Sequence, residues 1–340
     1  MSLAPTRAFV LPLDHDDALF LFRDGALQPC ANVRIPRGSP WALDLESDLL
    51  CFAVENQLFA IRGAFTGEPA KALLHAAEAQ YRFDALAIKD GVLFAGGRCD
   101  YEVLGSIDLQ SPTPSWRMMP LSKELRHPGK SVDSFVLDGD RLLGLDDILL
   151  PKWWLVYDVS DARDPKFVAS PPLATHSTYE VYRHAALAHR HIVTVSTSIN
   201  HGRSAVHLAF FDRADYSHRG AVHAAAGPIT ARGGRGREES RDFVHVDALD
   251  EMLVVCAGAE GCALLDLRAI ESIPSQVIGE RSRIAPNNSE LPPLVEKNLR
   301  WCRREGGAAI RAFFCGPSRV AVSFQRADGG CWVELVIVES

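Results

Sequence analysis

Titratable side chains recur at one place in this chain, at the head of the first apolar stretch of successive repeats. Arg82 and Asp84 flank Phe83, Asp133 follows Val132, Arg183 and His184 precede Ala185, Arg241 and Asp242 precede Phe243, and Arg311 follows Ile310. Guanidinium, carboxylate and imidazole groups brought together from separate segments can bind a small anion or a polar peptide. They can equally pair with one another as a salt-bridged plug. These eight residues are the candidate site for a ligand or partner.

Histidines offer a second chemistry. Nine of the 12 lie between His176 and His245, and neutral imidazole is a common metal ligand. Only His184 and His245 fall near or within the first strands of neighbouring repeats. His189 and His191 sit at a hairpin turn, the others belong to different loops, and no helical HxxxH spacing occurs. The spacing therefore assigns no metal site and no cofactor, although His184 and His245 would be among the ligands of a metal-dependent enzyme.

Three linear motifs fail on inspection. Gly129-Lys130-Ser131 lacks the first glycine of a phosphate-binding loop, because position 124 is Glu124, and an apolar strand follows it rather than a helix. No GxSxG nucleophile elbow is present. Asp14-His15-Asp16-Asp17 lies between two apolar runs, where an acidic turn explains it. The eight cysteines contain no CxxC pair, and Cys51, Cys256, Cys315 and Cys331 lie in or beside apolar runs. They read as buried free thiols.

The elements that must position these groups are strands. A unit recurs: apolar run, polar turn, second apolar run, gap, third run ending in an acid. It starts near Trp41, Phe83, Val132, His184, Phe243 and Ala309. Lys89-Asp90-Gly91, Asp138-Gly139-Asp140 and Gly316-Pro317-Ser318 supply hairpin turns. Weaker fourth strands follow at 115–120, 166–170, 220–225 and 276–278. The N-terminal 40 residues add about three strands, one of which is expected to complete the last sheet. Repeats of about 40–50 residues with four strands predict an all-β fold, a β-propeller of seven blades, with six as the alternative count. The chain reads as a single propeller domain over residues 1–340. Trp153 and Trp154, adjacent on a strand, are expected in the core between blades.

The stretch from Tyr157 to Val168, reading YDVSDARDPKFV, resembles the blade ending of LVIVD-type propeller repeats. Ile107-Asp108-Leu109 with Ser111-Pro112 is a looser copy. The resemblance implies the architecture and assigns no activity. Insertions interrupt the repeat at 120–131, 226–241 and 284–307, the last with a short helix expected near 291–304, capped by Ser289 and ended by Gly306-Gly307.

The 340 residues are 47% hydrophobic and 23% charged, with a formal net charge of −7. That balance argues against nucleic acid as a partner. No apolar run is long enough to span a membrane. The N-terminus lacks a signal-peptide layout, so the cytoplasm is the expected location. With no catalytic motif and long loops on a rigid ring, the sequence favours a non-catalytic platform whose partner is another protein. The alternative is an enzyme with a polar or metal-dependent site at the mouth of the central channel.

Overall fold

The computed structural model describes residues 7–66, 68–98, 103–122, 131–146, 153–173, 180–200, 203–226, 244–269 and 300–338. Seven antiparallel sheets follow one another along the chain, the arrangement of a seven-bladed β-propeller. Blade 1 is β1 (Arg7–Leu13), β2 (Asp16–Arg23) and β3 (Ala26–Ile35). Blade 2 is β4 (Trp41–Asp44), β5 (Leu49–Val54), β6 (Gln57–Arg62) and β7 (Ala70–Ala76). Blade 3 is β8 (Arg82–Lys89), β9 (Val92–Arg98), β10 (Gly105–Asp108) and β11 (Trp116–Met118). Blade 4 is β12 (Ser134–Asp138), β13 (Arg141–Asp146), β14 (Trp153–Asp158) and β15 (Lys166–Ala169). Blade 5 is β16 (Glu180–Leu187), β17 (His191–Asn200), β18 (Arg203–Asp212) and β19 (His218–Ala226). Blade 6 is β20 (Val244–Leu249), β21 (Met252–Ala257), β22 (Cys262–Asp266) and β23 (Arg300–Cys302). Blade 7 is β24 (Ala308–Gly316), β25 (Arg319–Gln325) and β26 (Cys331–Ile337). Among the described residues no helix is long and apolar enough to cross a membrane.

Local chemistry explains the repeating unit. Lys89 pairs with Val92, so Asp90 and Gly91 alone make the turn between β8 and β9. Both have positive φ, 50° and 74°, as a type I′ hairpin requires. The third strand of blades 3 to 6 ends in an aspartate, and the four share a task. Asp108, Asp158, Asp212 and Asp266 each accept the backbone N–H two residues on, at 3.0, 3.0, 2.8 and 3.0 Å. This Asx turn satisfies the donors freed where the strand stops.

The chain forms two compact units. One comprises residues 1–10 and 16–172, the other residues 11–15 and 173–340. In the first, blades pack face to face through Val10, Leu50 and Phe52, then Cys51, Phe83 and Leu93, then Phe94, Leu142 and Tyr157. Trp154 is fully buried and Trp153 packs at the edge of the last of these clusters. In the second, Val195, Leu208 and Val255 join blades 5 and 6, and Cys256, Phe314 and Phe324 join blades 6 and 7. Each such side chain contributes roughly 1.5–3 kcal/mol on burial. The first strand of a blade touches that of the next: β4 to β8 to β12 in the first unit, β16 to β20 to β24 in the second. The heads of these inner strands carry the candidate site.

Two expectations need correction. The N-terminal strand does not complete the last sheet. The two-residue turn at Asp14 and His15 folds β1 back on β2, and blades 1 and 7 each keep three strands. The segment 11–15 meets blade 7 through one bridge, Asp14 with Cys331, whose N–H···O bonds are 2.9 and 3.0 Å. Ser323 Oγ adds a bond of 2.7 Å to the Pro12 carbonyl. The helix expected near 291–304 is also wrong at its C-terminal end. Arg300–Cys302 is β23, because the free edge of β22 offers it hydrogen-bond partners from Cys262 to Leu264. Residues 270–299, including the fourth strand expected at 276–278, lie outside the described residues, as do 123–130 and 227–243 of the other insertions.

Candidate functional site

The predicted residues separate into two clusters, one in each compact unit. In the first, a β-bulge at the head of β8 sets the geometry. Phe83 pairs with Gly97 and Ala85 with Gly96, leaving Asp84 as the extra residue. The bulge needs Gly97, since a Cβ there would lie 1.8 Å from the Arg82 carbonyl oxygen. Asp84 then takes Arg82 at 3.3 Å and Arg98 at 3.0 Å. Arg98 also reaches Asp133 at 3.7 Å, and the Ser131 hydroxyl donates to Asp133 at 3.2 Å. Both carboxylate side chains are only 6% exposed. Two buried anions facing two guanidiniums form a charge-compensated network that spans blades 3 and 4.

The second cluster has a different character. The rings of His184 on β16 and His245 on β20 lie 4.9 Å apart between centroids, tilted by 54°. His245 also meets Phe313 of β24 edge to face at 4.7 Å. It is 7% exposed, whereas His184 is half-buried. Burial pushes the His245 imidazole well below its ordinary value, and the charges of His184 and Arg311 push the same way. A hydrogen bond to the Ala312 backbone opposes this without reversing it. His245 Nδ1 has no hydrogen-bond partner among the described residues. Asp247 Oδ2 accepts the Phe314 N–H at 2.9 Å and ties β20 to β24 beside this pair.

The structure thus brings Arg82, Asp84 and Asp133 together, and separately His184 and Arg311 around His245. Arg183 is the extra residue of a bulge in β16, between Tyr182 and His184. Arg241 and Asp242 lie outside the described residues. Arg98 and Ser131 escaped the sequence reading. Arg98 ends a second strand rather than starting a first, and the signal for it was the preceding Gly96-Gly97 doublet. Among the described residues no group of three or more His, Cys, Asp or Glu side chains could hold a metal ion.

No family model matches the chain, and no curated protein matches it. Solved structures do. A chain of the COPII outer coat vertex on membranes superimposes with a TM-score of 0.59 at 13% identity, over 99% of this chain and 82% of that one. A Lactobacillus plantarum protein gives 0.55 at 12% identity, over 98% and 97%. A Bacteroides uniformis protein assigned provisionally as a 6-phosphogluconolactonase gives 0.50 at 12%, over 98% and 96%. The likeness is one of fold. It nevertheless corrects the expectation of a non-catalytic platform, because a chain assigned to lactone chemistry shares this architecture end to end. The absence of linear motifs carried that expectation. In a propeller the polar residues of one site come from separate blades, so a catalytic constellation leaves no linear motif.

Proposed function

We propose that this propeller is an enzyme, a hydrolase of small cyclic esters such as sugar lactones and their phosphates, with its active site at the heads of β16, β20 and β24. The observation that carries the reading is the pair of imidazoles beside Arg311, one partly exposed and one buried and neutral. Lactone hydrolysis needs a base to take a proton from water as its oxygen attacks the carbonyl carbon. It also needs positive charge where the oxyanion develops. The half-buried ring of His184 is placed for the first task and the Arg311 guanidinium for the second. His245 is a positioning residue behind His184. Its neutrality leaves His184 free of a second cation at ring-contact distance. The ring C–O bond then breaks, and the alkoxide takes the proton to give the hydroxy acid.

The provisional lactonase assignment of a chain with this fold supports the substrate class. The seven free thiols among the described residues support the cytoplasm as the location. The LVIVD-type repeat is kept as a reading of the blade 4 ending, supported by its paired Asx turns at Asp158 and Asp161, each 3.0 Å.

The test is hydrolysis of δ-gluconolactone and its 6-phosphate in a pH-stat, measured above the spontaneous rate. His184→Ala is expected to lower kcat by roughly 10²–10⁴-fold while the melting temperature stays unchanged. Wild-type protein no faster than buffer on both lactones would end this reading.

A further inference from the structure

One row of blade 6 carries sulfur across three adjacent strands. His245 on β20 pairs with Cys256 on β21, Cys256 pairs with Cys262 on β22, and Cys262 pairs with Cys302 on β23. Directly paired residues point to the same face of a sheet. Here that face turns toward blade 7, where Cys256, Cys262 and Cys302 pack with Ala312, Phe314 and Phe324. Exposure is graded along the row, with Cys256 and Cys262 buried and Cys302 half-buried.

The hydrogen-bond ladder orders the spacings. The Ala257 N–H donates to Gly261 and the Leu267 N–H to Glu251, so both are hydrogen-bonded pairs of the β21–β22 ladder. Cys256 and Cys262 fall on the alternate, non-hydrogen-bonded phase, where Cα atoms approach to about 4.5 Å and side chains are closest. Burial pushes the Cys256 thiol well above its ordinary value, and the neighbouring Cys262 thiol pushes it the same way. On the opposite edge of β22 the phase inverts, and Cys262 and Cys302 sit at about 5.5 Å. Both spacings suit a disulfide, whose Cα atoms usually lie about 4.4–6.8 Å apart. A single metal ion does not suit the row, because strands about 4.8 Å apart put its two ends roughly 14 Å from each other.

We propose that Cys256 and Cys262 form a reversible cross-strand disulfide and that Cys302 passes the oxidation inward to them. The co-reactant is a low-molecular-weight disulfide. The Cys302 thiolate attacks it, forming a mixed disulfide and releasing one small thiol. Cys262 attacks the Cys302 sulfur, releasing the second small thiol and forming the Cys262–Cys302 bond. Cys256 then attacks the Cys262 sulfur, which returns Cys302 to a thiol. Two protein thiols are oxidised, one small disulfide is reduced to two thiols, and the protons lost by the cysteines are those gained by the leaving thiolates. Burial raises the Cys302 thiol, Arg304 lowers it, and Cys262 and Glu334 raise it. The first step therefore accelerates as pH rises from 7 to 9.

The experiment incubates the reduced full chain with oxidised glutathione under native conditions. Alkylation and non-reducing peptide mapping by mass spectrometry follow. Wild type is expected to yield the Cys256–Cys262 disulfide, faster at pH 9 than at pH 7. Cys302→Ser, a change at a half-buried position, is expected to form the same bond at least ten-fold more slowly. If Cys302 alone carries glutathione while Cys256 and Cys262 both alkylate after unfolding, the disulfide is refuted. An undiminished rate in Cys302→Ser overturns the inward passage.

Discussion

Blades 3 and 4 place a carboxylate at the head of the inner strand, and blades 5 and 6 place an imidazole there. The backbone device is shared. A bulge precedes Ala85 in β8, and a bulge precedes His184 in β16. In the first unit Asp84 and Asp133 share Arg98, so both buried carboxylates face a cation. In the second unit two imidazoles face each other, and neither can neutralise the other. Matched opposite charges are spent on structure. A pair of like titratable groups keeps a proton site open, which leaves it able to change state during a reaction.

The sharpest way to break the comparison is Gly97→Ala. The added Cβ meets the Arg82 carbonyl oxygen, so the bulge that aims Asp84 cannot form. A loss of more than about 4 kcal/mol is expected, read as a shift of the urea midpoint. Arg98→Met comes next. It leaves Asp84 and Asp133 buried with their shared cation gone, at a cost of about 3–5 kcal/mol. Adding Asp84→Asn and Asp133→Asn should restore part of it. If Arg98→Met instead proves neutral, the first cluster is not structural and the contrast between the units collapses.

The third test sharpens the contrast through pH. His245 has a folded-state value depressed below 6.5, so the unfolded chain binds more protons as pH falls through that value. Its contribution is complete above 6.5 and is lost below it, at no more than about 1.4 kcal/mol per pH unit. Denaturant midpoints measured from pH 7.5 to 5 should therefore fall less steeply in His245→Phe than in wild type. Equal slopes would mean that His245 is not held neutral. The smallest effect belongs to Arg163→Ala. It removes the bonds from Arg163 to Asp108 at 2.9 Å and to Gln110 at 2.7 Å, which latch blade 4 to blade 3 at the surface. A loss of about 0–1 kcal/mol, smaller in high salt, is expected.

What could be read from the residues alone follows the range of the forces involved. Hairpins were legible because Asp90-Gly91 and Gly139 specify their turns locally. The acid closing the third strand of blades 3 to 6 was legible for the same reason, since Asp158 bonds a donor two residues away. Arg98 was not legible, because its partners come from two other strands and their approach depends on a bulge. β23 was not legible, because three residues with a Trp and a Cys form a strand only when the edge of β22 is there to receive them. The cysteine row was invisible too, since Cys262 and Cys302 meet only through the register of a sheet.

The bulges also bear on how this chain can change in length. In a regular strand, losing one residue sends every later side chain to the wrong face. Across the bulge in β16, Tyr182 already pairs with Ser196 and His184 with Val195. Ala309 and Arg311 pair likewise with Phe324 and Ser323 across β24. Removing Arg183 or Ile310 would close each ladder into an unbroken one without disturbing its parity. At Arg183 a single-codon deletion would therefore keep the pattern of the strand, whereas at Ile310 it would also take a buried side chain out of the core.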